Sequence, residues 1–250
     1  MTAVVAAGRR VLPRGWRHFG LQFAIWIGFY VSYQAVRSLA DRDQTKAMLN
    51  AFRVIDLEQR LTSSFVEQTT QRIADSSHVL LTAAAWTYWN SEFTVIGISL
   101  LWIYLRRHDL FTRFRNSILL ANMIGLIGYA VMPTAPPWMF PAYGFVDGVN
   151  HQSTVVGAFA NPYAAMPSLH AADALIVAVV LFRASRHWWS KALWAMWPAW
   201  VWFCVLATAN HFWLDVLAGI VVALLSLWAV SQVTKRRTQP AEAVPIANLL

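Results

Sequence analysis

The sequence predicts an all-α integral membrane protein: a six-transmembrane-helix bundle with an extracytoplasmic interfacial amphipathic helix. Three observations carry that prediction. Hydrophobic residues make up 58% of the chain and charged residues only 13%, where a soluble domain carries about 25% charged residues. Apolar stretches lie at roughly 19–39, 79–105, 116–132, 169–183, 192–210 and 211–231, near the ~20 residues that cross a ~30 Å hydrocarbon core. The third observation is where the basic residues fall. Arg9, Arg10, Arg14 and Arg17 precede the first stretch, and Arg106, Arg107, Arg113 and Arg115 separate the second from the third. Arg183, Arg186 and Lys191 separate the fourth from the fifth, and Lys235, Arg236 and Arg237 follow the last. In a six-span chain all of these lie on one side, which the positive-inside rule makes cytoplasmic, as it does both termini. The net charge of +8 therefore reads as topology in a multi-pass plasma-membrane protein, with no nucleic-acid partner.

The elements follow in order. The first stretch is expected to be a span, not a cleaved signal peptide. Polar Gln22, Ser32 and Gln34 interrupt it, and no small-residue cleavage site follows. Residues 41–78 then fall on the outer side. Between Ala47 and Leu57 apolar positions recur at helical spacing among charges, which predicts an amphipathic helix at the outer interface. Its basic residues include Arg42, Lys46, Arg53, Arg60 and Arg72, interleaved with Asp56, Glu58 and Glu67. Local ion pairs on a solvated face are the expected use of those charges.

The second stretch carries Glu92, about 20 Å along a helix from Arg106 and so within the outer half of the membrane. A carboxylate there marks a cavity or a pathway, or else is a protonated structural residue. Pro133, Pro136 and Pro137 end the third stretch because proline cannot continue a helix. The loop 133–167 has no Lys or Arg and is placed to cover a site. Many of the 14 Trp residues, including Trp16, Trp188, Trp189 and Trp228, fall near span ends as interfacial anchors. The lone Cys204 excludes an internal disulfide. The chain thus reads as one membrane domain over 1–234, with a polar cytoplasmic tail at 235–250.

Two short motifs carry the chemistry. Asn161-Pro162-Tyr163-Ala164-Ala165-Met166-Pro167-Ser168-Leu169-His170 opens the fourth span, and Asn210-His211-Phe212-Trp213-Leu214-Asp215 links the fifth to the sixth. Spans four, five and six run in, out and in, so His170 and His211 arrive at the same depth on the outer side. Ser168 is the expected N-cap, and the helix start behind it offers N–H groups and a positive dipole end to phosphate. The i, i+4 spacing puts Asp215 on the helix face of His211, where it can fix the tautomer and stabilise the cation. The other His211 nitrogen is then available to attack phosphorus, forming a phosphohistidine. His170 can protonate the leaving oxygen and deprotonate the next nucleophile. Ser168 and the helix N–H groups would stabilise the phosphoryl oxygens. Two histidines and a carboxylate are also a donor set that metals use. A lipid transporter or binding protein is the non-enzymatic alternative, with Glu92 and Asp173 as pathway residues.

These motifs resemble the second and third signatures of the type 2 phosphatidic acid phosphatase superfamily. With Pro133-Thr134-Ala135-Pro136-Pro137 they are most similar to the branch of fungal inositol phosphorylceramide synthase and its actinobacterial relatives. The resemblance implies six transmembrane helices and a metal-independent, cofactor-free lipid phosphatase or phosphotransferase. His211 would be the nucleophile, Asp215 its partner, His170 the acid and base, and Ser168 a phosphate contact. The main-branch Lys-x6-Arg-Pro motif is absent, and Val205 stands where that branch has an Arg six residues before its histidine. Arg53 and Arg60 are therefore the cations assigned to the phosphate, with Arg37 a further choice. Glu92, Asp173, Asn210 and Tyr163 are assigned to the substrate pocket. Partners are a membrane lipid substrate, the bilayer itself and, for transfer, a lipid or sugar acceptor; transfer of an inositol-phosphate type of head group is the alternative to hydrolysis.

Overall fold

The computed structural model describes residues 12–40, 43–149, 151 and 163–238. Nine α-helices are found among them: α1 (Gly15–Ala40), α2 (Gln44–Leu61), α3 (Val66–Asp75), α4 (His78–Asn90), α5 (Ile96–Arg106), α6 (His108–Val131), α7 (Leu169–Ala184), α8 (Trp188–Ala207) and α9 (Trp213–Thr238). A π-helical turn over Ser91–Val95 joins α4 to α5. Extended pairing among the described residues is one parallel bridge, Thr134 to Ala164.

Each of the six apolar stretches falls on a helix or helix pair, and α6 and α9 are long and apolar enough to cross a membrane. Three expectations change in detail. The stretch 79–105 is broken by the π turn, which re-aims Glu92. The sixth stretch begins as a helix only at Trp213, so His211 lies in the turn before α9 and not on its face. That helix also runs to Thr238, through the start of the expected tail; residues 239–250 lie outside the described residues, as do Arg9, Arg10, Arg42, Asn161 and Pro162.

Helix α7 is the centre of the bundle and packs on α6, α8 and α9. Phe114, Ile118, Ala172, Ile176, Val177 and Ala223 form its buried surroundings. Two glycines permit the closest approaches. A Cβ at Gly219 on α9 would collide with the Ser168 carbonyl oxygen, and one at Gly128 on α6 would lie 2.6 Å from Pro167 Cδ. Both pack against the start of α7, so the motif's helix end is wedged between two neighbours that have no side chain there.

The segment expected to be interfacial is two helices, α2 and α3, which close the end of the bundle that carries the two motifs. Ala47, Ala51, Val54 and Ile55 of α2 are buried with Phe140, Phe145, Tyr163 and Phe212. The loop after α6 is held to them: Ala135 N–H donates to Ala47 O (3.1 Å), and Gln71 Nε2 donates to Val146 O (2.7 Å). It is also tied to the α8–α9 turn, where Trp138 N–H donates to Ala209 O (3.0 Å). Ala209 has φ +54°, a left-handed conformation that costs a non-glycine residue energy and sits one turn from the motif.

Candidate active site

The two motifs meet beneath this cover. The rings of His170 and His211 have centroids 5.7 Å apart. Ser168 N–H donates to the Asp215 carbonyl oxygen (3.0 Å), so the first turns of α7 and α9 are joined directly. Ser168, His211 and Asp215 are all buried.

His170 is the second residue of α7. Its ring stacks on Tyr88 (centroids 4.5 Å), and its Nε2 lies 3.2 Å from the Tyr88 carbonyl oxygen. Glu92 Oε2 stands 3.4 Å from the same nitrogen. The π turn thus brings a carboxyl group to the imidazole.

His211 is held differently from the sequence expectation. Its Nδ1 lies 2.9 Å from the Ala165 carbonyl oxygen, an acceptor that keeps the proton on Nδ1 and leaves Nε2 with its lone pair. Asp215 is 3.7 Å from Nδ1, beyond hydrogen-bonding distance. Its Oδ2 instead accepts from the Phe212 N–H (2.8 Å), as the third-residue acid of a helix does in a capping box. Asp215 therefore stands beside the imidazole without hydrogen-bonding it, while the backbone carbonyl of Ala165 sets the tautomer.

Two residues missed as functional candidates complete that helix start. Glu67 Oε1 accepts from Trp213 N–H (2.6 Å), and Glu58 Oε1 accepts from Leu214 N–H (3.0 Å). With Asp215, three carboxyl groups take three successive backbone N–H groups that a helix start otherwise leaves without partners. Both glutamates are fully buried, so the expectation of a solvated charge run fails here. Burial pushes the Glu58 carboxyl up to about 9, reinforced by the nearby Glu67. Burial also raises Glu67, to about 7. A signal was present in the sequence: Glu58 follows Val54 and Ile55 at helical spacing, on the apolar face of α2.

The remaining assignments divide. Arg60 is exposed and pairs with Asp56 (2.8 Å), two residues and about 200° around the helix from inward-facing Glu58; it is turned away from the histidines. Arg53 Nη1 reaches Asn50 Oδ1 (3.3 Å), whose own amide donates to Pro133 O (2.8 Å). It therefore flanks the buried face of α2. Arg115 bonds Gln22 Oε1 (2.6 Å) at the far end of the bundle, and the side chain of Arg37 lies outside the described residues. Asn210 spends its amide on Thr208 Oγ1 (2.8 Å) within the α8–α9 turn, a structural use and not a pocket one. Tyr163 is buried in the cluster around Phe212. Asp173 does not touch His170; Asn122 Nδ2 donates to both its oxygens at 2.9 Å.

Over 140 residues the chain is 32% identical to the phosphoinositol dihydroceramide synthase of Bacteroides thetaiotaomicron, covering 49% of this chain and 46% of the relative. It is 27% identical over 133 residues to the inositol phosphorylceramide synthase catalytic subunit AUR1 of Saccharomyces cerevisiae, covering 46% of this chain and 32% of that one. The chain thus spans less than half the length of these curated relatives. Among solved structures, LpxE of Aquifex aeolicus superposes with a TM-score of 0.52 at 16% identity, over 66% of this chain and 93% of LpxE; the shared feature is the fold. The model of the PAP2 superfamily matches residues 53–229, which contain both histidine motifs and the two buried glutamates, and the chain belongs to that superfamily.

Proposed function

We propose that this protein is a membrane-embedded, metal-independent lipid phosphatase or phosphotransferase that works through a phosphohistidine. The observation that carries the reading is the pairing of the two imidazoles, with Ala165 O on His211 Nδ1. His211 Nε2 attacks the phosphorus of a lipid phosphate or phospholipid head group, and the bond to the leaving oxygen breaks. His170 gives that oxygen its proton and then takes one from the incoming nucleophile. Ser168 Oγ accepts from Ala171 N–H (3.3 Å), and its own hydroxyl proton remains to donate to a phosphoryl oxygen. Arg53 is the retained candidate for phosphate binding. The six apolar stretches are read as spans with both termini in the cytoplasm, a topology in which the site faces the outer leaflet of the plasma membrane.

The nucleophile that resolves the intermediate decides the activity. Water makes the protein a phosphatase; a lipid or sugar hydroxyl makes it a transferase. The relatives named as synthases and the loop closed over the site support transfer, because excluding water preserves the intermediate. The test is purified protein in lipid nanodiscs with excess chelator. It receives phosphatidic acid, polyprenyl diphosphate or phosphatidylinositol, with and without hydroxyl-bearing lipids, and products are read by mass spectrometry. A phosphorylated acceptor is the expected product. Release of inorganic phosphate alone would make the protein a phosphatase, and loss of turnover on chelation would overturn the metal-independent mechanism.

A further inference from the structure

A second compartment lies next to the histidines. A cavity of about 500 Å³ runs between α1, α5 and α6, a size usual for small-molecule sites. Its wall is largely aromatic and aliphatic, with Phe23, Trp26 and Phe29 of α1 facing Leu100 and Tyr104 of α5. Glu92 and Tyr104, which both line it, are 12 positions apart along α5 and its π turn, a span of about 18 Å at the helical rise. The dimensions fit one extended hydrocarbon chain.

Its polar groups identify what the chain carries. Glu92, Asp173 and Asn122 line the cavity, and no Lys or Arg does among the described residues. The Asn122 amide already donates to both oxygens of Asp173. A wall without a cation among its described residues gives a phosphate nothing to neutralise it, whereas the two carboxyl groups offer oxygens that accept a hydrogen bond from a hydroxyl. Glu92 belongs to both compartments, since it lines the cavity and stands 3.4 Å from His170 Nε2. A hydroxyl held there is delivered to the acid–base side of the centre, away from the His211 nucleophile.

We infer that this cavity is the acceptor site, and that it takes a single long-chain lipid alcohol whose hydroxyl is bound by Glu92 and Asp173. The chemistry rests on the phosphotransfer reading; the occupancy does not. In the resolving step the alcohol oxygen bonds to phosphorus as the bond from phosphorus to His211 Nε2 breaks. The hydroxyl proton passes to His170, and the histidine nucleophile is regenerated.

Gly97 supplies the test. It lines the cavity, and a Cβ built there meets nothing within 4 Å, so a large side chain enters open space. Wild type, His211→Ala, Gly97→Ala and Gly97→Phe in nanodiscs would be photolabelled with a diazirine-bearing long-chain alcohol, its methyl ether and the matching alkyl phosphate. Peptide mapping by mass spectrometry reads the site. The expected result is labelling of α1 and α5 peptides by the alcohol, equal in wild type and His211→Ala because binding precedes chemistry. Gly97→Phe should weaken labelling at least about tenfold, equivalent to ~1.4 kcal/mol, with Gly97→Ala close to wild type as the folding control. Equal labelling by the ether or the phosphate would overturn the inference. So would labelling of outward-facing peptides around Val79 and Trp86, both exposed. Cavity labelling without any phosphorylated alcohol would leave the binding site standing and remove the transferase reading.

Discussion

The two helix starts that frame the site are built in opposite ways. Helix α7 is capped by its own Ser168, whose hydroxyl accepts from Ala171 N–H three residues on. Helix α9 has Phe212 before its first residue and draws its cap from three places: Asp215 of its own first turn, Glu58 of α2 and Glu67 of α3. One end is locally self-sufficient. The other exists in this form only when the outer cover is folded onto the bundle. The helix start beside His211 therefore draws its cap from the segment that covers it, whereas the start that carries His170 is capped by its own serine.

The comparison can be broken first at the histidines. His211→Ala should remove essentially all turnover, about 10⁴-fold or more, since loss of a nucleophile leaves only binding and charge stabilisation. His170→Ala should cost about 10²–10⁴-fold, the usual contribution of a general acid–base group. Initial rates on the same lipid panel, with size-exclusion profiles to confirm folding, check both.

The caps come next. Glu67→Ala and Glu58→Ala each leave a buried backbone N–H of α9 without its acceptor, and each should destabilise by about 1–3 kcal/mol. Ser168→Ala should cost about 1 kcal/mol, as an ordinary N-cap does. Thermal unfolding in detergent measures all three. The glutamate variants should also loosen the α2–α3 cover, read as faster amide exchange there, while Ser168→Ala leaves it unchanged.

The pH dependence sharpens the contrast further. Glu58 rises from an ordinary 4.5 to about 9, and Glu67 to about 7. Between those limits the unfolded state has already lost protons that the folded state keeps, so stability falls as pH rises. The fall is steepest below about 7, where both groups contribute, and continues on Glu58 alone towards about 9. Glu58→Gln keeps an oxygen for Leu214 N–H and removes one ionisation. Its melting temperature should decline less than wild type between neutral and alkaline pH. A parallel decline would show that Glu58 is ionised in the fold. At the small end, Arg60→Ala should change stability by less than about 0.5 kcal/mol, because its exposed pair with Asp56 is of the weak surface kind.

The same contrast explains what could be read from the chain. The α7 start was legible because every part lies within four residues: proline, serine cap, histidine and an apolar run. The apolar stretches were legible as helices by length and hydropathy, and the sequence expectation that the two histidine motifs converge is met by their rings lying 5.7 Å apart. The α9 cap was not. Its acceptors lie 146 and 156 positions away from the groups they bind, and no local pattern reports such a pairing. Glu58 had a local sign in its place on the apolar face of α2, but interleaved charges pointed to solvent. The i, i+4 spacing of His211 and Asp215 was read as helical, yet the helix begins only at Trp213. Asp215 turned back to the Phe212 N–H because a helix start offers donors with nothing else to satisfy them. Glu92 was singled out as a carboxylate in an apolar stretch, but only the π turn aims it at His170, and π turns have no distinct sequence signature.

The most direct test of the account is to trap the intermediate. Wild type, His211→Ala and His170→Ala would be mixed briefly with phosphorus-labelled phospholipid, quenched in alkali to preserve a phosphoramidate, digested and sequenced by mass spectrometry. The account predicts an acid-labile phosphoryl group on His211, absent from His211→Ala and accumulating in His170→Ala, where the resolving nucleophile has lost its base. Label on His170 or on another residue, or turnover by His211→Ala at the wild-type rate, would contradict it.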